Sequence, residues 1–144
     1  MTVCYNNLHQ TKPEGKIMIV VSAGIVSRNG KIMLCQRRPG DRMGLKWEFP
    51  GGKLESGESP QQALERELHE ELSVETRTGY IFDVYHESTD GRELLILFFR
   101  SELISGEPQT IECNAIHWVE PARLTEYDLA PADLEVAKRL ANEN

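Results

Sequence analysis

The chain has 144 residues, 40% of them hydrophobic and 27% charged, and a formal charge of −7. That length suits one domain with a single core, and the acidic balance argues against a binder of nucleic-acid polymers, which carries a basic patch or stripe. Three widely spaced cysteines (Cys4, Cys35 and Cys113) form no CxxC pair for zinc or dithiol chemistry. Reduced thiols are therefore expected, which fits a cytoplasmic location. Residues 1–16 lack an apolar stretch of signal-peptide length, and the apolar run at 17–21 is far too short to span a bilayer.

Residues 1–15, with breakers at Asn6-Asn7 and Pro13-Glu14-Gly15, read as an arm preceding one domain over 16–144. Two β-rich runs follow at 17–27 and 31–37. Asn29-Gly30 between them is a hairpin signal, because both residues tolerate positive φ. Residues 38–46 read as a loop. Trp47-Glu48-Phe49 reads as a short strand that Pro50-Gly51-Gly52 ends.

A helix is expected over 59–72, with Ser59 as N-cap, Pro60 in the first position and Gln62 completing a capping box. Leu64, Leu68 and Leu72 form its buried stripe. Strands near 74–86, 93–102 and 115–119 come next, with Thr89-Asp90-Gly91-Arg92 turning between the first two. Pro131 and Asp133 open a last helix whose inner face carries Leu134, Ala137, Leu140 and Ala141. Strands on both sides of a central helix, plus a terminal helix, imply an α+β or α/β sandwich with a mixed sheet between helical layers.

The chemistry concentrates in residues 51–74. At about 100° per residue, Glu67 lies roughly 40° behind Glu71 and 60° beyond Glu70, so the three carboxylates share a face beside the leucine stripe. The like-charge pairs cost roughly 0.2–0.5 kcal/mol each, and partial burial adds to this. Three glutamates alone more often mean a solvated acidic face. The glycine-rich loop ahead of them, Gly51, Gly52 and Gly57 with Glu58, changes that reading, since it permits close approach of a ligand. A hard divalent cation such as Mg²⁺ takes oxygen ligands of this kind together with substrate phosphates.

These residues resemble a known signature. The pattern Gly-x5-Glu-x7-Arg-Glu-U-x-Glu-Glu-x-Gly-U, with U a bulky aliphatic residue, is that of the Nudix hydrolases. Here it is carried by Gly52, Glu58, Arg66-Glu67-Leu68, Glu70-Glu71 and Val74. The one departure is Ser73 in place of glycine, which should strain the turn that ends the helix. The resemblance implies an α/β/α sandwich and metal-dependent hydrolysis of a nucleoside diphosphate linked to another group. It implies Mg²⁺ (or Mn²⁺) held by Glu67, Glu70 and Glu71, with the Gly52 carbonyl as a further ligand, Glu58 near the metal, and Arg66 orienting the glutamates.

Gln36-Arg37, the run 46–53 and Ala130-Pro131-Ala132-Asp133 resemble the MutT-like branch, and the likeness covers roughly 17–142. It implies a small-molecule nucleotide as partner, with neither a nucleic-acid polymer nor a membrane, and a monomer or homodimer. It implies a nucleoside triphosphate cut to monophosphate and pyrophosphate, as in the sanitising of 8-oxo-dGTP that protects DNA. The alternatives are a CTP or modified-dCTP pyrophosphohydrolase, and a nucleotide-binding module without turnover. Arg37 is implied to contact phosphate, or is a strand-end charge. Phe49 flanks the base, or belongs to the core. Glu112 joins the metal site or acts as general base, or is a surface acid. Asp133 stands where the 8-oxoguanine enzyme has Asn; it reads the base, or is a first-turn Asp favoured by the helix dipole. An ionised Asp only accepts hydrogen bonds, so the substitution leaves the base open.

Overall fold

A computed structural model describes residues 17–89 and 91–143, so the expected arm and Asp90 of the expected turn lie outside the described residues. The elements in chain order are β1 (Ile17–Arg28), β2 (Lys31–Gln36), β3 (Trp47–Glu48), β4 (Gly51–Lys53), α1 (Pro60–Leu72), β5 (Glu75–Thr89), β6 (Arg92–Ser105), β7 (Ala115–Val119), a 3-10 helix (Pro121–Glu126) and α2 (Pro131–Ala141). No helix among them is long and apolar enough to cross a membrane.

All seven strands belong to one mixed sheet, whose main path runs β3-β2-β1-β6-β5. β1 runs parallel to β6 and antiparallel to β2. The β1–β2 hairpin closes on Asn29 and Gly30 with φ of 52° and 78°, between Arg28 and Lys31. Two positive φ values make a primed turn, whose twist matches that of the flanking strands. Alternation along each strand then splits the core. Ala23, Ile25, Ile32, Leu34 and Phe98 face α2, whereas Val26, Met33, Cys35 and Phe99 face α1. The mixed α+β sandwich expected from the element order is the one observed.

α1 begins where its capping box predicts. The Ser59 hydroxyl accepts from the Gln62 N–H at 3.1 Å, and the Gln62 side chain accepts from the Ser59 N–H at 2.9 Å. Ala63, Leu64, Leu68 and Leu72 are buried; each leucine stabilises the packing by roughly 1.5–3 kcal/mol. Ser73 ends the helix in the left-handed region, at φ 58° and ψ 39°, so the missing glycine leaves a measurable conformational cost.

Two expectations need correction. Gly51–Lys53 does not merely end a strand; it forms β4 and pairs with Val21, Ser22 and Ala23. Glycine's low β propensity hid this strand. The 3-10 helix at 121–126 lies between the expected last strand and last helix, in a stretch that the sequence signals assign to no element. The inner face of α2 is Ala132, Asp133, Val136, Ala137 and Leu140, with Leu134 and Ala141 only half-buried. The helix is rotated from the expected setting because Asp133, a polar residue, points inward.

Candidate active site

The ends of β4 and α1 build the acidic centre around one guanidinium. Arg66 Nε donates to Glu58 Oε2 at 2.6 Å and Nη2 donates to Glu58 Oε1 at 3.0 Å. Its Nη1 donates to Glu67 Oε1 at 3.0 Å and to Glu70 Oε2 at 3.1 Å, and Nη2 also reaches the Lys53 carbonyl at 3.2 Å. One planar fork thus ties the loop before α1 to the carboxylates on it. The hydrogen bond from Arg66, with a second from the Glu55 N–H, holds the Glu58 carboxyl below the usual carboxylate range. Those bonds turn Glu58 toward Arg66.

Glu67 and Glu71 lie beside the leucine stripe and are half-buried, whereas Glu70, further round the helix, is exposed. The Gly52 backbone packs directly on Glu67: a Cβ on Gly52 would lie 2.3 Å from Glu67 Cδ. Only glycine lets the main chain approach that carboxylate so closely. Behind it, burial and a hydrogen bond with Glu67 push the Glu71 carboxyl up to about 8, with Glu112 adding repulsion. A cation beside it would return the Glu71 carboxyl to its ionised form.

The site's fit to a divalent ion follows from these observations. Among the described residues, no three acidic, histidine or cysteine side chains converge around one point. Arg66 draws Glu58, Glu67 and Glu70 toward itself rather than toward a common point. The available donors are nonetheless hard oxygens, with a backbone cradle at Gly52 and a carboxyl pair that a cation would relieve. That set suits Mg²⁺ or Mn²⁺ better than a soft metal.

Next to the acidic centre opens a cleft of about 330 Å³ that includes Arg37, Glu48, Phe49, Gly52 and Asp133 in its lining, within the range of small-ligand sites. A smaller cleft of about 240 Å³ shares Arg37 and Glu48 and adds Glu71, Glu112 and Cys113. Glu112 therefore faces Glu71, from the loop ahead of β7. Arg37 occupies the wall between the clefts and donates to Glu48 Oε1 at 2.6 Å and to the Arg42 carbonyl at 2.8 Å. Sequence reasoning missed Glu48. Burial outweighs the attraction of Arg37 and raises its carboxyl. The signal available was a charged residue between two aromatics in the run Trp47-Glu48-Phe49, whose alternation sends it away from their side.

Phe49 is buried and meets the Phe98 ring edge-on at 6.1 Å, so it is core as well as cleft floor. Its N–H donates to Asp133 Oδ1 at 2.9 Å. Trp47 accepts from the Ala130 N–H at 3.0 Å and donates its own N–H to the Asp128 carbonyl at 2.8 Å. These bonds fasten the start of α2 to β3 and aim Asp133 inward. Asp133 is buried, and desolvation raises its carboxyl to about 7 despite the Phe49 amide. At neutral pH a large share is protonated, so Asp133 can donate as well as accept, as Asn does. That changes the expectation that it only accepts.

The chain matches the NUDIX domain model over residues 18–140. It is 42% identical over 118 residues to the CTP pyrophosphohydrolase of Escherichia coli K12, covering 81% of this chain and 87% of that one. It is 34% identical over 129 residues to the 8-oxo-dGTP diphosphatase of Haemophilus influenzae Rd, covering 89% and 95%. Among solved structures, the E. coli ORF135 protein superposes with a TM-score of 0.76 at 36% identity, covering 89% of this chain and 91% of that one. A family match spanning most of the chain, on the fold and the acidic helix just described, means that this protein belongs to the Nudix family.

Proposed function

We propose that the chain hydrolyses nucleoside triphosphates to a monophosphate and pyrophosphate in the cytoplasm, as a single domain over 16–144. The observation that carries the reading is Arg66, whose fork gathers Glu58, Glu67 and Glu70 against Gly52 at the mouth of a nucleotide-sized cleft. Glu67, Glu70, Glu71 and the Gly52 carbonyl would hold Mg²⁺ or Mn²⁺, with Glu58 and Glu112 at its margin. Bound there, the metal would neutralise phosphate charge and supply an activated water.

The residues of the chain do the remainder. Arg66 keeps Glu67 and Glu70 oriented. Glu112, across the smaller cleft from Glu71, takes the proton of the attacking water. Arg37, released from Glu48 by the stronger pull of a polyphosphate, binds the phosphate chain. Phe49 gives the base an apolar floor, and the edge of the base reaches Asp133.

Oxidised guanine is the base this reading favours. A neutral Asp133 offers a donor to a guanine carbonyl and an acceptor to its N–H groups. The second reading is cytosine, whose exocyclic amine an ionised Asp133 accepts; similarity to a protein named CTP pyrophosphohydrolase supports it. The experiment is kcat/KM for 8-oxo-dGTP, dGTP, CTP, 5-methyl-dCTP and ADP-ribose between pH 6 and 8.5. The proposal expects 8-oxo-dGTP to lead and its advantage over CTP to shrink as pH rises. A clear lead for ADP-ribose would overturn the MutT-like assignment.

A further inference from the structure

The smaller cleft contains a feature with no part in phosphate chemistry. Cys35, next to the end of β2, is buried on the α1 side of the sheet, and Cys113, in the loop ahead of β7, is half-buried on the cleft wall. Both side chains line that cleft, and Cys113 packs against the buried cluster to which Cys35 belongs. Their approach is held by bonds on both sides of Cys113. Before it, the Ile111 carbonyl accepts from Arg38 Nη2 at 2.5 Å. After it, the Asn114 N–H donates to the Gln36 carbonyl at 2.8 Å and the Asn114 side chain donates to Gln36 Oε1 at 2.7 Å. β2 and β7 then pair without interruption, Cys35 lying opposite Ile116. The loop carrying Cys113 is thus fastened on each side to the segment that carries Cys35. A disulfide needs Cα atoms about 4.4–6.8 Å apart, and this fastening is what keeps the two segments together.

We infer that Cys35 and Cys113 form a reversible dithiol–disulfide site on the rim of the catalytic cleft, closed by peroxide and opened by thiol reductants. Both cysteines line the smaller cleft, but Cys113 is the more exposed of the two, so it reacts first. Its sulfur attacks one peroxide oxygen, the O–O bond breaks, and the departing hydroxide leaves as water with the thiol proton. Cys113 is then a sulfenic acid. The Cys35 sulfur attacks the Cys113 sulfur and displaces hydroxide, which leaves as a second water with the Cys35 proton. Two thiols are oxidised and one hydrogen peroxide is reduced to two waters. The new bond ties β2 to the loop of Glu112, beside Glu71. Cytosolic reductants keep such a bond open at rest.

The test reads sulfur chemistry rather than turnover, so its outcome is independent of the hydrolase reading. Reduced full-length protein is treated with hydrogen peroxide, its free thiols are counted, and the trypsin digest is mapped without reductant. Two of the three thiols should be lost. The peptides 32–37 and 101–123 should appear joined, and dithiothreitol should restore both thiols. Cys4→Ser should behave the same, with its two thiols both lost. Cys113→Ser, at the less buried position, should form no joined peptide. The inference is overturned by three remaining thiols, by links that run through Cys4, or by Cys113 passing to sulfinic acid without joining Cys35.

Discussion

Asp133→Asn tests the electrostatics of the base end through stability. Asp133 is only 7% exposed at the cleft wall, and burial lifts its carboxyl from 3.8 to about 7. Unfolded chains ionise this group near pH 4, whereas the folded chain keeps it neutral until about pH 7. Because the folded value is raised, its stabilising contribution is complete below pH ~4 and lost as pH rises through about 7. At 1.36 kcal/mol per unit, the loss above pH 7 reaches about 4 kcal/mol. Asn has the same shape, keeps an oxygen for the Phe49 N–H and has no charge to desolvate. Urea denaturation of both proteins from pH 4 to 8.5 should show similar stability at the acid end. The variant should then gain by about 1.4 kcal/mol per pH unit until the curves run parallel above pH 7. Other carboxyls that titrate in this range are common to both proteins and largely cancel in the difference. A gap that stays constant from pH 4.5 to 7.5 would refute the reasoning. The same variant should flatten the pH dependence of base preference, since Asn presents donor and acceptor at every pH.

The remaining predictions concern the acidic helix and its supports. Ser73→Gly removes the left-handed strain at φ 58°, and after the extra backbone entropy of glycine should stabilise by about 0.5–1 kcal/mol; a melting temperature that falls would contradict this. Gly52→Ala pushes a methyl group into the Glu67 carboxylate, a flexible end. The fold should therefore survive, by circular dichroism, while kcat drops about 10- to 100-fold. Gly51→Ala would place Cβ 2.0 Å from the Ser22 carbonyl, and should instead cost stability, by about 3 kcal/mol or more in urea melts. Arg66→Lys loses the planar fork that joins three glutamates. It should lower kcat about 10- to 100-fold and raise the Mg²⁺ concentration needed for half-maximal activity.

Much of this structure was legible because the informative signals were local. The capping box at Ser59 and Gln62, the leucines at 64, 68 and 72, and the Asn29-Gly30 turn each depend on neighbours within a few residues. Helical geometry put Glu67, Glu70 and Glu71 together at the edge of the core; Glu67 and Glu71 sit there, whereas Glu70 is exposed. What escaped depends on contacts between distant segments. β4 is a strand because Ser22 and its neighbours offer an open edge to Gly51 and Gly52, which no propensity reveals. The burial of Asp133 is set by the Phe49 amide and by ties between Trp47 and residues 128 and 130. Glu48 looked like an ordinary strand charge until burial and Arg37 gave it a setting. The meeting of Cys35 and Cys113 in one cleft arises only when β7 pairs with β2.

The most direct test is product analysis on 8-oxo-dGTP and CTP, comparing wild type with Glu67→Gln, each with Mg²⁺ and with a chelator. The account predicts monophosphate and pyrophosphate from wild type with Mg²⁺, and at most a trace from Glu67→Gln or in chelator. Equal turnover by the variant, turnover that survives the chelator, or orthophosphate with a diphosphate as products would contradict it.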